Sequence, residues 1–134
     1  MNLTPLLAAV GSDSDLTAAL DVWRGSQEAG GAHLLSGAPG CWPLLSAALA
    51  SERPVLAVTA TGREADDLAR SLGDYLDSEQ IATFPSWETL PHERLSPRSD
   101  TVARRLSVLR RLARPDPNDP GHGPIRVLVA SVRA

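Results

Sequence analysis

Residues Pro54-Val55-Leu56-Ala57-Val58-Thr59-Ala60 form an unbroken apolar run, and this run limits the fold more than any other feature of the chain. It is too short for a buried helix and lacks the alternation of a half-solvated strand. It reads as a strand buried on both faces, which is the habit of a parallel sheet covered by helices. The next residues agree. Thr61-Gly62-Arg63-Glu64 opens a helix expected to reach about Gly73, with Ala65, Leu68, Ala69 and Leu72 on one stripe. Arg63, Asp66, Asp67 and Arg70 fall on the opposite side, so the helix is amphipathic and lies against the strand.

The same alternation runs through the rest of the chain. Ala32 to Ser36 and Gln80 to Phe84 read as short strands, and Ile125 to Ser131 as a second buried one. Trp42 to Ala50 reads as a small apolar helix that tolerates Pro43 in its first turn. Ser99 to Ala113 reads as a longer helix with Val102, Leu106, Leu109 and Ala113 as its core stripe. Arg104 and Arg111 fall opposite that stripe, with Arg105 and Arg110 on the flanks. Thr4 to Val10 and Ser14 to Trp23 are two short N-terminal helices, joined to the rest by a breaker-rich link from Gly25 to Gly31. Pro85 to Pro97 and Arg114 to Pro124 are proline-punctuated loops. Four strands with intervening helices imply an α/β fold with a parallel sheet and right-handed crossovers.

Composition excludes several chemistries. All 13 basic residues are arginine, so no lysine is present to grip a phosphate, form a Schiff base or act as a nucleophile. The single cysteine, Cys41, excludes an internal disulfide or a cysteine zinc cluster, and it is expected to be a small buried hydrophobe. No apolar run approaches the ~20 residues needed to span a bilayer. Asp13, Asp15 and Asp21 stand where a secretory signal would be basic. A cytoplasmic chain with no membrane partner is expected. Charge is uneven: residues 1–91 hold 12 acidic groups against 4 arginines, while residues 92–134 hold 9 arginines against 4 acidic groups.

Two loops invite a functional reading. Gly37-Ala38-Pro39-Gly40-Cys41-Trp42-Pro43-Leu44 sits where a strand would feed a helix, the place of a phosphate-binding loop. A working loop reads G-x-x-x-x-G-K-[ST], in which amides cradle phosphate, lysine neutralises it and the hydroxyl holds Mg²⁺. Here the second glycine is Trp42, the lysine is Pro43 and the hydroxyl residue is Leu44, so the loop is degenerate. The second loop, Phe84 to Pro97, mixes aromatic, acidic and proline residues after a strand, where functional groups of α/β folds gather. Glu88, His92 and Glu93 are not at a metal-binding helical spacing and have no nucleophile beside them, so a rigid loop anchored in the core by Trp87 and Leu90 is expected. Asp100, in the first turn of the following helix, complements its dipole. Arg104, Arg105, Arg110 and Arg111 offer either a solvated face or a nucleic-acid or partner face, although no aromatics interleave them for base stacking. His33 and His122 have no metal partner, and no metal site is expected.

The stretch FPSWETLPHERLSPRSDTVARRLSVL, residues 84–109, resembles the bacterial transcription-repair coupling factors. Their signature is carried here by Trp87, Glu88, Thr89, Leu90 and Pro91, then Ser96, Pro97 and Asp100. PVLAVTATGREADDLARSL and VLVASVRA are similar to a strand–helix unit and a strand of the same family, so the resemblance covers residues 30–134. The all-arginine, alanine-rich composition resembles a high-GC, actinobacterial version. The resemblance implies that residues 30–134 are the first, UvrB-like part of a RecA-like lobe with a degenerate phosphate loop, that residues 1–29 are a helical segment before it, and that the chain stops where a UvrA-binding domain begins. It implies a longer parent: an ATP- and Mg²⁺-dependent DNA translocase that displaces stalled RNA polymerase and recruits UvrA for nucleotide excision repair. The segment itself is then expected to be a scaffold with no cofactor and no catalysis, packed against other domains of its parent. A direct nucleic-acid role for the arginines, or an active nucleotide hydrolase using arginine for lysine, are the alternatives.

Overall fold

In a computed structural model, residues 3–10, 12–25, 32, 34–87, 96–119 and 121–134 are described, the side chain of Trp23 excepted. The expectations for His33 and for Glu88 to Leu95 therefore lie outside the described residues. Helices α1 (Thr4–Val10), α2 (Ser14–Gly25) and α3 (Cys41–Glu52) precede strand β1 (Val55–Thr59) and helix α4 (Gly62–Leu72). Strand β2 (Ile81–Phe84), helix α5 (Ser99–Ala113) and strand β3 (Val127–Ser131) follow. The fold is α/β, with a three-stranded parallel sheet in the order β1-β3-β2.

The apolar run does what its composition dictates. β1 pairs with β3 from Val55↔Val127 to Thr59↔Ser131, and β2 flanks β3 on the other side from Ile81↔Val127 to Phe84↔Ala130. Val127 and Val129 at the centre are fully buried. One face of the sheet meets α3 and α4 through Ala47, Ala50, Ala65 and Leu72, with Leu68 and Ala69 packed beside them. The stripe read from α4 is therefore its inner face. Small residues on α3 let its backbone approach the sheet closely. The start of α4 is fixed by a capping box: the Thr61 hydroxyl accepts from the Glu64 amide at 3.2 Å, and the Thr61 amide donates to Glu64 Oε2 at 2.9 Å.

The N-terminal helices dock on the outside of α3. Val10, Leu20 and Ala48 form their core, with Leu7, Leu16, Leu44 and Leu49 around it. Arg24 near the end of α2 clamps Glu52 at the end of α3, its Nε donating to Oε1 at 2.9 Å, while Nη1 reaches Asp21 at 2.6 Å. The Arg24 guanidinium holds the Glu52 carboxyl below its ordinary range.

Two expectations need correction. Ala32 and residues 34–38 form no strand, and the sheet has three strands, not four, among the described residues. Leu34 is 94% exposed. A few apolar residues next to Gly37 and Pro39 bury too little side chain to hold a ladder.

The second correction concerns α5. It covers the other face of the sheet, but Thr101 and Val108 are its buried residues, and Val108 packs with Ala82 and Ile125. Of the expected stripe, Leu106 is 60% and Leu109 48% exposed; Ala113 is exposed and Val102 half-buried. Arg105 and Arg111 turn inward instead. Arg105 Nη1 donates to the Pro85 carbonyl at 2.5 Å, and Arg111 Nε donates to the Gly123 carbonyl at 2.9 Å while its Nη2 reaches the Glu79 carbonyl. Hydrogen bonds to charged groups are worth about 1.5–3 kcal/mol each, comparable to burying a leucine, and these set the rotation of the helix.

Candidate functional site

The loop before α3 holds the place of a phosphate-binding loop. Gly40 has ordinary right-handed dihedrals, φ −66° and ψ −14°. A Cβ added at Gly37 or Gly40 would meet open space, so no neighbouring protein atom requires glycine at either position. The Cys41 amide donates to the Ala38 carbonyl at 2.9 Å and the Trp42 amide to the Pro39 carbonyl at 3.4 Å, while Pro43 has no amide to offer. Leu44, at the hydroxyl position, packs with the α1–α2 cluster. The adjoining hollow has Trp42, Pro43, Val58 and Leu68 in its walls, together with the carboxylates of Glu64 and Asp67. The Cys41 and Trp42 amides are thus engaged within the turn, and Glu64 and Asp67 set acidic groups beside it. Cys41 at the head of α3 is exposed, contrary to its expected burial, as is Trp42 beside it in the first turn.

The signature stretch is placed in part. Trp87 is 45% exposed, which corrects the expectation that it anchors the loop in the core. Its ring lies against the Arg105 guanidinium, whose carbon is 4.3 Å from the ring centroid and 4.0 Å from that of Phe84. Glu88, Thr89, Leu90 and Pro91 lie outside the described residues. Ser96 and Pro97 are exposed. Asp100 sits in the first turn of α5 and pairs with Arg98, Nε to Oδ1 at 3.2 Å.

The four arginines do not share one face. Arg104 and Arg110 are exposed, whereas Arg105 and Arg111 are tied to carbonyls. Residue spacing could not reveal this division, since the accepting carbonyls are remote in sequence.

A different site emerges from topology. α4 carries the chain from β1 across β3 to β2 on one face of the sheet, and α5 brings it back to β3 on the other. Where successive connections leave a parallel sheet toward opposite faces, a crevice opens at the carboxyl ends of the strands. Here that crevice is a cavity of about 470 Å³. Thr83, Ser86, Arg98, Thr101, Arg104 and Ser131 are among its walls. The end of β3 carries no motif that would mark Ser131; the strand order was the missing signal. No group of three or more His, Cys, Asp or Glu suited to a metal occurs among the described residues, and no helix there is long and apolar enough to cross a membrane.

Comparison with known proteins bears out the resemblance. The chain is 57% identical over 91 residues, 68% of its length, to the transcription-repair-coupling factors of Mycobacterium bovis and Mycobacterium tuberculosis. It is 42% identical over 52 residues, 39% of its length, to that of Haemophilus influenzae. The matched segments make up 7% and 4% of those proteins, so the chain spans a small part of the relatives it matches. The mycobacterial likeness agrees with an actinobacterial composition. No protein-family profile matches the chain.

Proposed function

We propose, from this likeness to the transcription-repair-coupling factors, that the chain is a non-catalytic scaffold lobe of such a factor. Its role is to carry neighbouring domains of a protein that displaces RNA polymerase stalled on DNA and recruits UvrA to excision repair. RecA-like ancestry, UvrA contact through a following domain, and ATP and Mg²⁺ at a motor elsewhere in the parent all belong to this proposal.

The observation that carries it is the outward apolar stripe of α5. Leu106, Leu109 and Leu112 are exposed on that helix, and Leu56 and Val58 are exposed on β1. Exposed apolar groups in such number suit surfaces that other domains cover. The engaged amides at Cys41 and Trp42 support the absence of nucleotide chemistry from the same lobe.

The test is a titration of the chain with ATP–Mg²⁺, read at the backbone amide resonances of residues 37–44. No saturable change is expected there. A micromolar dissociation constant at those amides overturns the inert-loop assignment.

A further inference from the structure

We infer that the outer face of α5 is a docking surface for one acidic, leucine-bearing amphipathic helix. Under the scaffold reading, on which this rests, that helix belongs to a neighbouring domain and covers this part of the lobe.

The shape of the face points to a helix. Leu106, Leu109 and Leu112 are 60%, 48% and 52% exposed. Spaced by three, they form one slanting ridge within about 120° of the helix circumference. Such a ridge fits the groove of a second helix that crosses it, and that helix brings leucines of its own to close the contact. Trp87 broadens the ridge. Its half-exposed indole lies against Arg105, which stands one turn before Leu109. Large apolar groups gathered on one face differ from leucines scattered singly over a surface.

Charge selects the kind of helix. From Thr101 to Pro115 the chain carries five arginines and no acidic residue. Arg105 and Arg111 are held by carbonyls. Arg110 and Arg114 are exposed and make no ion pair among the described residues. Arg110 follows Leu106 by one turn and Arg114 follows Arg110 by another, so a cationic row runs beside the leucine ridge. Asp119 does not cancel it: that carboxylate is held by His122 and the Gly121 amide, and Arg110 acts on it least. Glutamates flanking the leucines of an incoming helix meet this row, which steers the encounter and fixes the register.

The same two features disfavour a nucleic-acid strand. Phosphates would meet the arginines but leave the three leucines in water, and the Trp87 ring already lies against Arg105. Only a protein surface that is apolar in the middle and acidic at its rim answers both the ridge and the row.

The experiment selects binders to the full chain from a phage-displayed library of single helices with a fixed leucine seam and Glu, Lys or Gln at the flanking positions. Glutamate-flanked helices are expected to enrich, to shift the amide resonances of residues 105–114 saturably, and to bind more weakly as salt is raised. Leu106→Gln and Leu109→Gln should each weaken them at least about fivefold. Arg110→Glu combined with Arg114→Glu should turn the selection toward lysine-flanked helices. All four side chains are exposed, and retention of the remaining amide spectrum verifies the fold. No enrichment, enrichment of glutamine- or lysine-flanked helices by the unaltered chain, or binding insensitive to these variants overturns the assignment. A thymidine oligomer held more tightly at residues 105–114 than any selected helix overturns it in favour of a nucleic acid. Self-association that Leu109→Gln abolishes overturns it in favour of a second copy. None of these outcomes alters the ATP–Mg²⁺ titration of residues 37–44, so failure here leaves the scaffold reading standing.

Discussion

Arg105 of α5 lies over the indole of Trp87, its guanidinium carbon 4.3 Å from the ring centroid. Phe84 lies under the same guanidinium at 4.0 Å, and the Pro85 carbonyl accepts from Nη1. One side chain thus holds the whole exit of β2 against the helix. A cation over an aromatic face is worth about 0.5–1 kcal/mol at an exposed site, and a charged hydrogen bond somewhat more. Arg105→Ala should destabilise the chain by about 2–3 kcal/mol. Arg105→Lys should recover less than half, because an ammonium lacks the flat fork. Trp87→Ala should cost only about 1 kcal/mol, well short of the 3–5 kcal/mol of a buried aromatic. Urea unfolding of the three variants measures this directly, and a Trp87→Ala loss above 3 kcal/mol contradicts the exposed placement.

Leucines on this chain divide sharply by position. Leu72 is fully buried between α4 and the sheet, and Leu72→Ala should cost about 2–5 kcal/mol. Leu106→Gln should change stability by no more than about 0.5 kcal/mol, because the side chain already faces solvent. Comparable losses at the two positions in denaturant unfolding contradict the rotation of α5 described above.

The capping box at α4 supplies a separate check. Thr61→Ala removes the acceptor for the Glu64 amide and should lower stability by about 0.5–2 kcal/mol. Thr61→Ser keeps the acceptor and should lie close to the parent. Thermal unfolding of the pair reads the difference, and equal melting temperatures for both substitutions remove the box from the account.

In the loop after α5, His122 Nδ1 donates to Asp119 Oδ2 at 2.6 Å and the Gly121 amide donates to Oδ1 at 2.9 Å. These donors hold the Asp119 carboxyl below its ordinary value, with the His122 contact the larger cause. A carboxyl whose folded value is depressed stabilises the fold above its unfolded pKa of about 3.9, and that contribution fades as pH falls through the lower folded value. Carboxylate carbon shifts should give Asp119 a midpoint below the ordinary range, and His122→Ala should raise it. A midpoint that ignores His122→Ala sinks the assignment.

Much of the architecture was legible in local patterns. β1 and α4 are explicit because a continuous apolar run and a repeat at helical spacing allow little else, and Thr61 with Glu64 marks the boundary between them. α5 was legible as a helix but not in its rotation. Its apolar stripe at Leu106 and Leu109 pointed to one inner face, while hydrogen bonds from Arg105 and Arg111 to Pro85, Glu79 and Gly123 selected another. Those carbonyls are distant in sequence, so no local period encodes them. The cavity was hidden for a similar reason: Ser131, Thr83 and Arg104 meet only because β3 inserts between β1 and β2.

That insertion has a consequence for how the chain acquires its structure. Among the described residues β1 and β2 are not paired with each other; each is hydrogen-bonded to β3. Thr59 meets Ala130 across 71 residues of sequence. During synthesis at the ribosome, both earlier strands wait with unsatisfied edges while α4 and α5 can already coil. Pairings so distant in sequence are slow to form, and open strand edges invite association with other chains. The described sheet can therefore close only once β3 has been made, and β3 is its keystone.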